Sequence, residues 1–374
     1  MIKSLHISGF KLFREMTLPK LGRLNLFVGE NNTGKSCLLE AIGLYAGRTP
    51  VTDILETASR RSTGKVRPWV KEGISEESSS LRHPVFDLFR WAGPRVKAPI
   101  IIGQLGDSAP FRVEVQFQQR ITDDQGVIRF VPVTSTSVLG AEDSEVVLPV
   151  YRGDKQVALV TRNSVRRYTV QQRDRIGDTE KLLNDDAVAV AYLTADGFSD
   201  DKAAFLWDAL VQSPGQELVL DWLRMLDPKI EDLAYIGDEG IGRTRTALLK
   251  MEREGRIPLR SMGDGFTRLL HVGLAMASAS QGILLIDEFE NGLHWKIQEQ
   301  LWNVLSEAAQ KFNVQIFATT HSRDCIEGLT TAGRALGRSG AMIYRLERKG
   351  EDVFATDLPL INVAAAMREA QEVR

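Results

Sequence analysis

Residues 282–288 read Gly-Ile-Leu-Leu-Ile-Asp-Glu, and no other stretch of the 374-residue chain restricts its fold so tightly. An unbroken apolar run closed by two acids suits a strand buried on both faces, as in a parallel sheet, that delivers carboxylates to the sheet edge. In open α/β sheets ligands bind at that edge. A second apolar segment, Leu24 to Val28, leads into Gly29-Glu30-Asn31-Asn32-Thr33-Gly34-Lys35-Ser36, which fits the phosphate-cradling pattern G-x-x-x-x-G-K-[ST]. Residues 36–45 then place Leu38, Leu39, Ile42 and Leu44 at helical spacing. Strand, glycine loop and helix in that order are the context the pattern requires.

In that context the backbone N–H groups of residues 30–35 are expected to surround a β-phosphate. Lys35 would reach the β and γ oxygens, and Ser36 would hold magnesium at a helix N-terminus. Asp287 is expected to hold the magnesium, directly or through water, and Glu288 to orient and activate the attacking water. The bland alternative is a helix-capping glycine loop and a pair of solvated acids. Acids behind four apolar residues, in a chain that also carries the loop, favour chemistry: a nucleotide hydrolase that uses Mg2+.

Composition narrows the setting. A formal charge of -2 with 26% charged residues gives no global pull toward nucleic acid, so any basic surface has to be local. Two cysteines, Cys37 and Cys325, form neither a disulfide framework nor a metal cluster and fit a reducing interior, where both read as small core residues. The start lacks a secretory apolar core, and no apolar run approaches bilayer length. A cytoplasmic protein without a membrane partner is expected.

Around the two motifs the chain reads as three parts: an N-terminal lobe (1–180), a helical subdomain with connecting strands (181–255) and a C-terminal lobe (256–374). Strands are expected at 2–7 and 10–14, the latter after a turn at Ser8-Gly9. Residues 49–77, with Arg60, Arg61 and the 65–67 cluster, read as a solvated loop or short surface helix, and 83–91 as a short helix with Phe86, Leu88 and Phe89 inward. Strand signals at 100–102, 111–117, 127–133, 146–151, 157–160 and 168–170, with turns at 123–126 and 152–155, predict an antiparallel lobe. Its basic edge, Arg162 to Arg175, reads as a solvated rim, with contact to a phosphate backbone or a partner left open.

Residues 187–193 form a candidate core strand. A helical region follows to Met225, broken at Ser213-Pro214-Gly215, with Phe205, Leu206, Leu210, Leu218 and Leu220 inward and Trp207 and Trp222 in its core. A meander at 233–236, 247–251 and 257–259 leads to Ser261. Strands at 341–346 and 353–356 and a helix from Ile361 complete the chain. The fold class is α/β, with a mostly parallel core sheet, an antiparallel β lobe and a helical subdomain.

The phosphate loop, Ser-Met-Gly-Asp-Gly (261–265) before a helix, the run Ile283 to His294 and Ala-Thr-Thr-His-Ser (318–322) together resemble ABC-type ATPases of the RecF/SMC/OLD group. The nearest resemblance is to OLD-like ATPases with an AAA_15 or AAA_21 domain, and it is strong at residues 24–45 and 258–323. It implies a nucleotide lined by Gly29, Glu30, Asn31, Asn32, Thr33, Gly34, Lys35, Ser36 and Cys37. It also implies a head that dimerises with ATP at the interface. Ser261, Gly263 and Gly265 then match the signature that faces the partner's γ-phosphate, although they depart from the Leu-Ser-Gly-Gly-Gln form of transporters. Asn291 to His294 match the D-loop, and His321 matches the switch histidine, which with Lys35 and Glu288 makes the catalytic set.

Two further roles stay open: a magnesium-linking glutamine at Gln104, Gln116 or neither, and a base contact from residues 10–14. Some fifty residues follow His321, too few for the TOPRIM nuclease of OLD proteins. The resemblance therefore implies an ATPase that regulates a separately encoded effector, such as a nuclease, in bacterial phage defence. A RecF-like clamp on DNA and a slow nucleotide-gated scaffold are the alternatives, and an oligomer beyond the dimer is left open.

Overall fold

A six-stranded sheet carries both motifs. In the computed structural model its order is β10 (Val190–Leu193), β14 (Ile283–Ile286), β15 (Gln315–Thr319), β3 (Leu24–Val28), β16 (Ala341–Lys349) and β17 (Asp352–Asp357). Every pair is parallel except β16 with β17, a hairpin. The structure describes residues 1–47, 50–59, 84–90, 98–122, 128–133, 144–161, 188–237, 245–335 and 340–363.

β3, β14 and β15 are buried from end to end, which is why their sequences are apolar throughout instead of alternating. Successive side chains serve opposite faces. Phe27, Ile283, Leu285 and Phe317 enter the core shared with α1 (Lys35–Ala46) and the antiparallel lobe. Leu26, Val28, Leu284, Ile286 and Ile316 enter the core on the other face. There they meet α5 (Asp264–Ser278), α6 (Trp295–Lys311) and α7 (Arg323–Ala335). The polar exceptions, Asn25 and Gln315, are fully buried and satisfied: Asn25 donates to Gly22 O (2.9 Å) and Ile316 O (3.1 Å), and Gln315 to Ile2 O (2.8 Å) and Gly22 O (2.7 Å). They fasten the chain's start to the sheet.

The predicted antiparallel lobe is a sheet in the order β2 (Phe13–Leu18), β1 (Leu5–Phe10), β4 (Ile100–Gly103), β5 (Phe111–Val113), β8 (Ser144–Arg152), β6 (Gln116–Thr122) and β7 (Ile128–Val133), with β9 (Lys155–Val160) also on β8. Two boundaries differ from expectation. The first turn falls at Lys11-Leu12 instead of Ser8-Gly9, because Phe10 pairs with Phe13 and Lys11 takes φ 46°. The stretch 111–117 divides in two at Glu114, whose N–H leaves for Pro149 O (3.2 Å).

A three-stranded antiparallel meander, β11 (Ile230–Gly237), β12 (Arg245–Met251) and β13 (Gly255–Pro258), packs on α3 (Asp200–Leu210) and α4 (Pro214–Arg224). Ser213 caps α4 by accepting from Gly215 N (3.2 Å), with Pro214 in the first turn, so the break falls where expected. Trp207 and Trp222 are buried, but Phe205 is 46% exposed, since Ala203, Ala204 and Trp207 occupy the inward stripe of α3. Helix α2 (Pro50–Ser59) buries Ile54, Leu55 and Ala58 and so belongs to the core more than to the surface. Phe86, Leu88 and Phe89 are buried around a short 3-10 helix, Pro84–Leu88, as predicted. The basic clusters at 60–67 and 162–175, the turn at 123–126 and the strand at 168–170 lie outside the described residues, as does the last helix beyond Val363. Among the described residues no helix is long and apolar enough to cross a membrane.

Candidate nucleotide site

β3 ends at Val28, and the loop that follows turns by glycines at the two places where a side chain would not fit. Gly29 has φ 144°, and a β-carbon there would collide with the Leu346 carbonyl. Gly34 has φ 92°, and a β-carbon would press on the Phe13 ring at 3.1 Å. No side chain caps α1 at Gly34, so the first-turn N–H groups of that helix are left for another acceptor. Glu30, Asn31 and Asn32 are exposed, whereas Thr33, Gly34 and Lys35 are buried. The Thr33 hydroxyl donates to Glu30 O (2.9 Å) and closes the loop.

Lys35 folds back over this loop and donates to Gly29 O and Glu30 O, each at 2.8 Å. Burial pulls its ammonium down to about 8, while Asp287, Glu290 and Glu288 resist the shift by holding the charge. The Ser36 hydroxyl donates to Asp287 Oδ1 at 3.0 Å, which joins the loop to the tip of β14 across the intervening β15. Thr319, at the end of β15, completes the junction. Its hydroxyl donates to Asp287 Oδ1 (2.6 Å) and accepts from Glu288 N (2.9 Å).

Glu288 is exposed and takes φ 48°, a left-handed conformation that costs a non-glycine residue on the order of 1–2 kcal/mol. His321 is half-buried just past Thr320. Burial and the nearby Lys35 push its imidazole below the usual histidine range, against the pull of Glu290, Glu288 and Asp287.

Two residues that the sequence reading left unassigned hold this arrangement. Glu290 accepts from His321 N (2.6 Å) and from the Thr320 hydroxyl (2.7 Å), so it ties the acid strand to the histidine. Arg268, buried on α5, donates to the carbonyls of Asp287 (2.8 Å) and Glu288 (2.7 Å). Burial draws its guanidinium down to about 10, with Glu290, Asp287 and Glu288 opposing. The available signal was positional: Arg268 stands one and two turns before Val272 and Ala275, on the stripe of α5 that faces the core.

The other predicted positions are placed apart from this cluster or turned from it. Ser261 and Gly263 are exposed before α5; the Ser261 hydroxyl donates to Pro258 O (2.6 Å), and nothing lies within 4 Å of a β-carbon built on Gly263. Gly265 approaches the Gly292 carbonyl, so the segments 261–265 and 291–294 pack together. The Cys37 side chain is buried in the core beneath α1, so it could meet a nucleotide only through its backbone. Cys325 is buried with its thiol pushed up by desolvation and accepts from Trp302 Nε1 (3.4 Å). Phe10 and Phe13 are fully buried and unavailable for stacking on a base, and Lys11 pairs with Glu40 (2.5 Å). Gln104 accepts from Lys3 N (2.8 Å), and Gln116 donates to Glu114 (3.2 Å).

A glycine loop with its lysine, a hydroxyl in the first helical turn and an acid-tipped parallel strand two places along define a P-loop nucleotide hydrolase. A family model described as "AAA ATPase domain" matches residues 1–62, and one described as "AAA domain, putative AbiEii toxin, Type IV TA system" matches residues 164–324. The chain is an ATPase whose residues 1–62 and 164–324 carry these AAA_15- and AAA_21-type regions. It is similar to an "ATP/GTP phosphatase" of Helicobacter pylori, 24% identical over 344 residues, 87% of each chain. It also resembles an uncharacterized protein of Methanocaldococcus jannaschii, MJECL11, at 34% identity over 108 residues, 29% of this chain and 93% of that one. Among solved structures, an SMC head bound to the C-terminal winged-helix domain of ScpA aligns over 98% of this chain and 99% of that one, with 12% identity and a TM-score of 0.49.

Proposed function

We propose that two copies of this chain close on ATP, each supplying its phosphate loop and acids to one nucleotide and its Ser261–Gly265 segment to the other. The observation that carries this reading is Lys35, drawn onto the loop carbonyls beside Asp287, where an incoming phosphate chain would take over its donors. The N–H groups of residues 30–35 cradle the phosphates, and Lys35 neutralises the β and γ oxygens. Glu288 orients water and takes its proton, and His321 contacts the γ-phosphate. One carboxylate and one hydroxyl, Asp287 and Ser36, are hard oxygen donors already in contact, which fits Mg2+, an ion that completes its shell with phosphate and water. Asp287 and Ser36 would hold magnesium, which when bound would supply charge neutralisation to the phosphates.

We read residues 1–180, 181–255 and 256–374 as the N-terminal lobe, helical subdomain and C-terminal lobe of this head. The toxin–antitoxin wording of the matched family supports a regulator or sensor that acts on a separately encoded effector in defence. The name of the Helicobacter pylori relative makes GTP worth testing beside ATP. Phosphate release and molar mass by light scattering, with and without Mg-ATP, test the reading. The wild-type chain is expected to hydrolyse and dimerise, and Lys35→Ala to do neither. A Lys35→Ala protein that still dimerises on ATP addition would overturn the shared-site arrangement.

A further inference from the structure

We infer that Arg268 is a positioning residue that couples the helix behind Ser261–Gly265 to the backbone of Glu288, so that the carboxylate is aimed only when that helix is seated. The inference rests on the proposed role of Glu288. Arg268 donates to four main-chain carbonyls: Asp287 (2.8 Å) and Glu288 (2.7 Å) past β14, and Thr194 (2.8 Å) and Ala195 (3.3 Å) past β10. Asn291 adds a bond from the D-loop to Ala195 O (2.8 Å).

The arginine stands one turn after Asp264 at the start of α5, and a β-carbon on Gly292 would touch its own at 3.5 Å. Its fork therefore gathers two strand ends while its stem meets the D-loop. Glu288 is clamped on both sides of its left-handed residue, by the Thr319 hydroxyl at the N–H and by Arg268 at the carbonyl. Such a conformation persists when its neighbours over-determine it. Displacing α5 along its axis would release the carbonyl and let the Glu288 side chain re-aim. A guanidinium buried against neutral carbonyls carries a desolvation cost that an apolar helix contact would not.

Arg268→Lys keeps charge and stem but cannot span four carbonyls with one ammonium. Measured with Mg-ATP, it is expected to bind nucleotide within about twofold of wild type while kcat falls about 10²-fold, the effect of a misplacement of about 1 Å. In the Glu288→Gln background the same change should lower kcat no further, because no carboxylate remains to aim. Wild-type kcat in Arg268→Lys, or additive losses in the double variant, would overturn the coupling. If Glu288→Gln alone hydrolyses normally, it is the reading of Glu288 that fails. Should the lysine variant unfold, amide exchange on the unmutated protein decides: ATP is expected to slow exchange at 264–268 and 286–289 together, and protection of one segment without the other would refute the link.

Discussion

Around Asp287, polar groups are engaged with one another: Ser36 and Thr319 on the carboxylate, Glu290 on His321 N and Thr320, and Arg268 on the carbonyls of Asp287 and Glu288. At the Ser261 end, by contrast, the serine hydroxyl turns back to Pro258 O, while Gly263 and Asp264 stand in solvent. Both ends belong to one family pattern, and they differ in how much of their geometry the chain supplies by itself. The contrast teaches that the Asp287 side is preorganised, whereas in the proposed dimer the Ser261 side would gain its chemistry only from the copy it meets.

Ser261→Arg is the harshest way to break that contrast. The position is exposed, so the isolated chain accommodates the longer side chain, and nucleotide affinity per subunit should hold. Turnover is expected to fall on the order of 10³-fold or more, the worth of charge stabilisation supplied by a second subunit in related phosphoryl transfer. The ATP-dependent dimer should vanish in light scattering. Wild-type turnover by Ser261→Arg would mean that this end lies outside the site.

Glu288→Gln probes the preorganised end. A general base contributes about 10²–10⁴-fold, and the amide keeps the residue's size. Single-turnover measurement is expected to show that loss with ATP retained and the dimer trapped. Nearly equal rates in wild type and variant would favour a slow nucleotide-gated scaffold.

The same contrast explains what could be read from the sequence. Strands buried on both faces leave an unbroken apolar run, and their acid tips and glycine loop need those residue types, so β3, β14, the loop and α1 were legible almost to the residue. Arg268 and Glu290 were not, since their importance lies in bonds to backbone of other strands, which no spacing along the chain encodes. The exposure of Phe205 is not legible in the sequence either, because α3 offers several apolar residues and only packing selects Ala203, Ala204 and Trp207 as its inward face. The first hairpin slid by a few residues because Gly9 looked like the turn. Its positive φ instead lets the backbone pass close to Pro99.

His271 gives the gentlest test, aimed at what anchors the two ends to each other. It lies nearly one turn beyond Arg268 on α5, accepts from Phe198 N through Nδ1 (3.2 Å) and packs against the Phe198 ring. Burial pulls its imidazole from 6.5 down to about 4, with the Arg268 charge adding to the shift and Asp200 opposing it. The unfolded chain therefore takes up a proton at this residue below about pH 6.5 while the folded chain does not. Its contribution is fully present above that pH and is lost as pH falls toward 4. The linkage amounts to about 3 kcal/mol over that window. His271→Asn keeps an acceptor for Phe198 N but cannot titrate, so denaturant midpoints compared between pH 7 and pH 4.5 should fall less in the variant than in the wild-type protein. ATP turnover at neutral pH should stay near wild type, because a neutral histidine is replaced by a neutral amide. Equal pH slopes in the two proteins would show that His271 is charged in the folded state, and a variant stable but slow would show that this end of α5 steers the site as well as holding it.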